Sequence, residues 1–162
     1  MEIKIAIDTD IPVVYTLMLE AFEEYRTFDV PSSALNESLE ALQKAVKSNL
    51  EKALLCSING VPVGSCRFTM KEDTLYFSRL SVTPLARGKG IAKAMLLWLE
   101  NYAYNHSIGK IECRVRVSLP KNISLYKSLG YSITKEEAVT NPNGILVNTV
   151  VMEKTLINSV PL

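Results

Sequence analysis

The segment Leu80-Ser81-Val82-Thr83-Pro84-Leu85-Ala86-Arg87-Gly88-Lys89-Gly90-Ile91-Ala92 constrains this chain more than any other. An alternating run ends at Val82, Pro84 breaks it, and two glycines precede the apolar run that starts at Ile91. The pattern predicts a strand feeding a glycine-rich turn at a helix N-terminus. The first amides of a helix have no intrahelical acceptor, and the aligned peptide dipoles put positive charge at the same end. A phosphate or pyrophosphate is the natural guest of such a turn. Gly88 and Gly90 let the backbone approach an anion and take conformations closed to other residues. Arg87 and Lys89 add positive charge.

At 162 residues, the chain is long enough for one domain with a real core and short for two. The expected organisation is one domain over residues 1–157 and a short loose tail over 158–162. Eighteen basic residues stand against 17 acidic ones, so the excess that marks an electrostatic nucleic-acid binder is missing. Cys56, Cys66 and Cys113 are odd in number, far apart and set in apolar runs, which predicts buried free thiols in a reducing cytoplasm. The start, Met1-Glu2-Ile3-Lys4-Ile5, lacks signal-peptide anatomy, and the longest apolar run, near Met95 to Leu99, is too short to span a bilayer. A cytoplasmic protein without nucleic-acid or membrane partners is expected. The single histidine, His106, lies near a helix end, so neither a zinc site nor a cysteine–histidine nucleophile is expected.

Hydrophobic periodicity divides the chain into alternating elements. Ile3 to Ile7 reads as a strand. Asp8-Thr9-Asp10 and Pro12 open a helix with Val14, Leu17, Met18, Ala21 and Tyr25 on its stripe. Arg26 to Pro31 reads as a loop, and a second helix starts near Ser32-Ser33 with Leu35, Leu39, Leu42 and Val46 inward. Ala53–Ile58, Val61–Met70 and Thr74–Val82 form an antiparallel meander whose first turn is Asn59-Gly60. After the glycine turn comes a helix with Ile91, Met95, Trp98, Leu99 and Tyr102 inward, ended by Gly109. Lys110–Val117 is a strand, Asn122–Leu129 a short helix, and Tyr131–Glu136 and Leu146–Lys154 are the last strands. A meander followed by one βαβ crossover predicts a mixed, mostly antiparallel α/β sheet of six to seven strands with one parallel pair and about four helices. Ligands of such sheets sit at the carboxyl ends of the parallel strands, where the glycine turn lies.

Arg87-Gly88-Lys89-Gly90-Ile91-Ala92 resembles the Arg/Gln-x-x-Gly-x-Gly/Ala signature of the GCN5-related N-acetyltransferases. Asn122-Ile123-Ser124-Leu125-Tyr126-Lys127-Ser128-Leu129-Gly130-Tyr131 looks like that family's second signature. There an Asn leads a short helix, a Tyr follows, and Leu-Gly-aromatic closes it. The order of elements agrees along nearly the whole chain. The resemblance implies acetyl-CoA or a related acyl-CoA as donor, with its pyrophosphate on the amides from Arg87, Gly88, Lys89, Gly90 and Ile91 to Ala92. It implies pantetheine pairing along Leu80, Ser81 and Val82, and a splay between this strand and the Lys110–Val117 strand to admit that arm. Family members are often homodimers, though no interface is legible here.

Aminolysis of a thioester needs a neutral amine, a donor for the carbonyl oxygen and a proton for the leaving thiolate. An alkyl amine of pKa about 10.4 is only about one part in a thousand neutral near pH 7.4, so a base or a water must take its proton. The resemblance implies that Tyr126 protonates the thiolate; by its pattern alone Tyr126 is an amphipathic helix residue. Asn122 is implied to contact the cofactor or to pin the adjoining strand, and it is equally a preferred helix N-cap. The oxyanion donor falls to a backbone N–H of the strand, that of Leu80 or Val82. Relatives carry a Glu on this strand where the present chain has Tyr76 or Ser78, so Tyr76 marks the place of the base without supplying a carboxylate. Glu20, Glu23 and Glu24 read as a solvated face. Phe22, Tyr25, Arg26 and Phe28, with the turn near Asn141–Gly144, are candidates for the wall that holds the amine or peptide acceptor. Arg114 and Arg116 read as surface arginines on one strand face. The alternatives are a non-catalytic acyl-CoA-binding module, motivated by the missing carboxylate, and a plain nucleotide-binding domain.

Overall fold

The computed structural model describes residues 1–28 and 30–156, so the expected tail over 158–162 lies outside the described residues. The strands are β1 (Glu2–Ile5), β2 (Lys52–Ile58), β3 (Val61–Lys71), β4 (Thr74–Val82), β5 (Lys110–Arg116), β6 (Ser132–Thr140) and β7 (Leu146–Thr155). The helices are α1 (Ile11–Phe22), α2 (Leu39–Lys47), α3 (Ile91–Asn105) and α4 (Pro120–Ser128). The strands form one seven-stranded sheet in the order β1-β2-β3-β4-β5-β7-β6. β1 with β2, β2 with β3, β5 with β7 and β6 with β7 run antiparallel, and β4 with β5 parallel. The expected mixed sheet with one parallel pair and four helices is what the chain forms.

Its contacts divide it into two compact units, Met1–Thr69 with Phe77–Trp98, and Met70–Tyr76 with the chain from Leu99 onward. In the first unit, Ile11, Val14 and Leu17 of α1 and Leu42 of α2 form a buried cluster with Ala6, Ala53 and Leu55. Each of its buried Ile, Val and Leu side chains contributes about 1.5–3 kcal/mol. Side chains alternate along β3, so Gly64 and Phe68 share a face. Phe68 meets Trp98 edge to face at 6.4 Å, and Gly64 lies against Met95 and Ile91. In the second unit, Ile111, Cys113 and Val115 alternate as the buried side of β5, and Met152 and Val150 of β7 stand opposite Cys113 and Val115 in register.

Several boundaries differ from the sequence pattern, each for a local reason. The second helix starts at Leu39, not near Ser32-Ser33. Ser32 Oγ instead accepts from the Ala34 amide to open a separate 3-10 turn over Ser33–Asn36, and Ser38 Oγ accepts from the Ala41 amide as the N-cap of α2. Asn122 does not cap α4. Pro120 occupies the first helical position with Leu119 before it, which places Asn122 inside the first turn. Tyr25 lies past the end of α1 in a 3-10 turn over Glu23–Tyr25. Ser107, with φ of 59°, takes the left-handed position after α3 that the pattern gave to Gly109. Asn59 and Gly60 have φ of 50° and 80°, as a two-residue hairpin requires.

A methyl group at Gly64 would sit 2.9 Å from Met95 Cε and 3.1 Å from the Ser81 carbonyl oxygen. Gly64→Ala is therefore expected to lose about 1–3 kcal/mol by overpacking, read as a lower urea midpoint at unchanged slope.

Candidate functional site

The glycine turn has the geometry the sequence predicts. Thr83 donates its N–H to the Val63 carbonyl at 3.0 Å, a 3-10 turn follows over Pro84–Ala86, and α3 begins at Ile91. Gly88 and Gly90 have φ of 80° and 76°, and a Cβ at either would meet nothing within 4 Å. The need for glycine here is thus conformational, since a side chain at either position would meet open space rather than packed protein. Arg87 to Gly90 are exposed. This combination fits an anion as large as a pyrophosphate: left-handed glycines, the free amides of the first turn of α3, and room beside them.

The Arg87 side chain goes elsewhere than expected. Its guanidinium donates to the Ala21 carbonyl at 3.0 Å and pairs with Glu24 at 2.9 Å, so it ties the C-terminal end of α1 to the turn. The cationic side chain left on the turn is that of Lys89, which is exposed. Glu24 is therefore ion-paired, as is Glu23 with Arg26 at 2.7 Å, rather than standing on a purely solvated face.

Leu80, Ser81 and Val82 form the last residues of β4, with Ser81 fully buried. Before them, Arg79 has a φ of 54°, a left-handed residue inside a strand. Along the chain from α1, Phe22, Tyr25 and Phe28 form a ladder of edge-to-face rings with centroids 5.5 and 5.2 Å apart. The structure brings these three predicted acceptor-wall residues together; Arg26, beside them, is engaged with Glu23.

A charged cluster that the sequence reading missed lies in this same unit. Arg67 of β3 is only 4% exposed, and Glu37 takes both of its terminal nitrogens in a bidentate pair. Glu51 Oε1 lies 3.3 Å from Arg67, and Arg79 Nε lies 3.4 Å from Glu37. The Glu37 carbonyl also accepts from the Tyr15 hydroxyl at 2.8 Å. Burial raises the Glu37 carboxyl, but the hydrogen bond and charge of Arg67, with Arg79, outweigh it and hold it below its ordinary value. For Glu51 burial wins and the carboxyl is pushed up. Nothing in the sequence pairs these residues, because Glu37 and Arg67 are 30 positions apart.

In the second unit, Tyr126 of α4 is buried, with its ring 5.9 Å from that of Tyr131. The Tyr131 hydroxyl donates to Glu100 at 3.3 Å. Lys154 Nζ donates to the other Glu100 oxygen at 2.7 Å and to the Leu129 carbonyl at 3.0 Å, which fastens the C-terminal end of α4. Burial, with Glu100 next, raises the Tyr131 phenol. Asn122 stands in the first turn of the same helix.

The parallel ladder of β4 and β5 pairs Thr74 with Lys110, Leu75 with Ile111 and Tyr76 with Glu112. β4 runs on to Val82 and β5 to Arg116. Tyr76, 36% exposed, thus has a carboxylate directly beside it on the neighbouring strand. Burial raises the Glu112 carboxyl, against the pull of Lys110 and with help from Glu153 opposite it. The signal for Glu112 was strand register, which the sequence does not spell out.

Arg114 is held by Thr149 and Glu137 at 3.0 Å each, His106 is exposed and stacked on Tyr102, and the three cysteines are buried free thiols. Among the described residues no group of His, Cys, Asp and Glu could hold a metal ion, and no helix is long and apolar enough to cross a membrane. A groove of about 500 Å³ lined by Met1, Lys4, Asp10, Leu55 and Pro62 contains none of the predicted site residues.

The model of the acetyltransferase (GNAT) family matches residues 14–131, which takes in both signatures. The chain belongs to this family. It is 29% identical over 90 residues to the N-terminal acetyltransferase B complex catalytic subunit naa20 of Schizosaccharomyces pombe. That match takes in 54% of this chain and 50% of the other, so the chain spans about half the length of this curated relative. Among solved structures it is similar to a ribosomal-protein-alanine N-acetyltransferase from Brucella melitensis. The TM-score is 0.78 at 20% identity, over 96% of this chain and all of that one. It is also similar to yncA from Salmonella typhimurium, solved with its cofactor acetyl-CoA. There the TM-score is 0.72 at 22% identity, over 98% of this chain and 95% of that one. At these identities the structural likeness shows the GNAT fold.

Glu37→Ala leaves the buried Arg67 with Glu51 alone and is expected to cost about 3–5 kcal/mol in urea denaturation. The Glu37 contribution is fully present above the ordinary glutamate value of 4.5 and is lost as pH falls through the lower folded value. The acid limb of the wild-type stability curve should therefore be steeper than that of the variant.

Proposed function

We propose that this GNAT chain transfers an acetyl group from acetyl-CoA to a primary amine by direct attack within a ternary complex. The observation that carries the reading is the pair of left-handed glycines at the head of α3, facing open space, in a chain of this family. The amides from Gly88 to Ala92 would hold the pyrophosphate, with Lys89 as the nearby cation; the Arg87 amide expected to join them already donates to the Pro84 carbonyl. Leu80, Ser81 and Val82 would line the pantetheine arm. Bound acetyl-CoA supplies a thioester carbonyl open to attack by an amine. A backbone N–H of Leu80 or Val82 donates to the oxygen on which charge develops, where one well-placed donor is worth about 10²–10³ in rate. Tyr126 gives its phenolic proton to the leaving sulfur; its burial and the packing against Tyr131 support a fixed orientation. Asn122, one turn earlier on the same helix, would contact the cofactor.

The proton of the acceptor ammonium needs a destination. Tyr76 marks the family's position for a base, and Glu112 beside it has the carboxylate that β4 lacks. A carboxyl raised by burial is a better match to neutral pH than an ordinary one. The acceptor wall we assign to Phe22, Tyr25, Arg26 and Phe28. The relatives' names support peptide N-terminal amines as the first acceptors to test, beside small amines and polyamines. The second reading is an acyl-CoA-binding module without transfer. It is favoured by the absence of an acid between Thr74 and Leu85, and the same experiment decides it.

Purified protein given acetyl-CoA and a panel of N-terminal peptides and amines is expected to release CoA thiol with at least one acceptor. Acetyl-CoA binding with no release across the panel would select the binding-module reading. Tyr126→Phe should lower kcat about 10²-fold with acetyl-CoA affinity nearly unchanged, measured by calorimetry beside the thiol assay. For the base, kcat/KM should rise with pH through an acidic limb above the 4.5 of an ordinary glutamate. Glu112→Gln should remove that limb.

A further inference from the structure

Arg79 sits where the backbone of β4 does something a strand does not ordinarily do. Its φ of 54° is left-handed, and the residue is neither glycine nor one of the short polar types that visit this region. Such a residue persists only where its surroundings over-determine it. Three contacts do so here. Arg79 Nη2 donates to Ser33 Oγ at 3.2 Å, and its Nε lies 3.4 Å from Glu37. Its carbonyl accepts from the buried Ser81 hydroxyl at 2.9 Å. The Glu37 anchor is itself immobilised by Arg67 and Tyr15. Side chain and carbonyl of one residue are thus held from different directions, with the kink between them.

A kink in a strand re-aims the groups that follow it. In a strand the amides of alternate residues point the same way, so Leu80 and Val82 act as a pair, and the torsion at Arg79 sets the direction of that pair. We propose that Arg79 is a positioning residue for acyl transfer: anchored by Ser33 and Glu37, it holds the left-handed kink of β4 that aims the Leu80 and Val82 amides. This rests on the role proposed above for that strand. Arg79 itself touches no reacting atom. The segment between α1 and α2, which supplies Ser33 and Glu37, thereby shapes the donor strand as well as following the ring ladder of the acceptor wall.

Two substitutions in the full chain separate this role from others, because glycine takes a left-handed φ freely and alanine does not. Both remove the guanidinium. A displacement of reacting groups by one ångström can cost about a hundredfold, so Arg79→Ala is expected to lower kcat at least about tenfold. Arg79→Gly, which keeps the torsion accessible but loses the anchors, is expected to lose clearly less kcat than Arg79→Ala, with acetyl-CoA Kd changed less than about threefold in either variant. Equal losses of kcat in both variants would assign the guanidinium a direct charge role and overturn the proposal. So would melting temperatures that fall with kcat intact in both. A second readout does not depend on turnover: the ¹⁵N amide resonances of Leu80 and Val82 should move in Arg79→Ala and lie near wild type in Arg79→Gly. Unmoved amides in the alanine variant overturn the kink assignment. If wild-type protein transfers acetyl to no amine while these shifts follow the expected pattern, the activity reading fails and the kink assignment stands without its catalytic purpose.

Discussion

A carboxylate held between two guanidiniums on a sheet face cannot be withdrawn without stripping both of their main counter-charge where water is scarce. Glu37 is in that position, with Arg67 on one side and Arg79 on the other. Burial makes the arrangement costly to break, and geometry makes it specific, because a bidentate pair accepts few alternatives. The consequence is mechanical. The stretch between α1 and α2 is stitched to β3 and to the bend of β4 by one side chain, with Tyr15 holding the same residue by its carbonyl. An irregular segment, which elsewhere would be the loosest part of a fold, is fixed by charge rather than by apolar packing alone.

The glycine turn uses a different economy. The anion site proposed there would rest on backbone amides and on the left-handed φ of Gly88 and Gly90, with side chains in a secondary role. Arg87, the first residue of the signature, goes to the Ala21 carbonyl near the C-terminal end of α1 and to Glu24. A cation there offsets the negative end of the helix dipole and joins α1 to the turn. The turn's shape is thereby supported by an ion pair. The end of α4 is treated alike: Lys154, held by Glu100, caps the Leu129 carbonyl close to the residue that packs on Tyr126.

Much of the fold was legible because it rests on periodicity. Alternation marked the strands, Asn59-Gly60 marked a hairpin, and the spacing of Ile91, Met95 and Leu99 marked α3, whose buried side they form. Boundaries were less legible where two caps competed. Ser32, Ser33 and Ser38 are all acceptable helix starters, and only the extended backbone at Glu37 decides that the helix proper begins after Ser38. At α4, Pro120 outcompeted Asn122 because a fixed φ at the first helical position needs no side-chain hydrogen bond.

The sequence by itself determined the order of elements, the glycine turn and its family signatures, since these depend on residues close together in the chain and on local backbone preferences. Tertiary structure alone decided where the charges went. Arg87 to α1, Glu37 to Arg67 and Arg79, and Glu112 to the side of Tyr76 are contacts between residues far apart in sequence or on strands whose register no local pattern sets. A charge on the page of a sequence has many partners available to it. Folding selects one by burial, because an ion that loses water must find its counter-ion in whichever strand or loop the chain has already placed beside it.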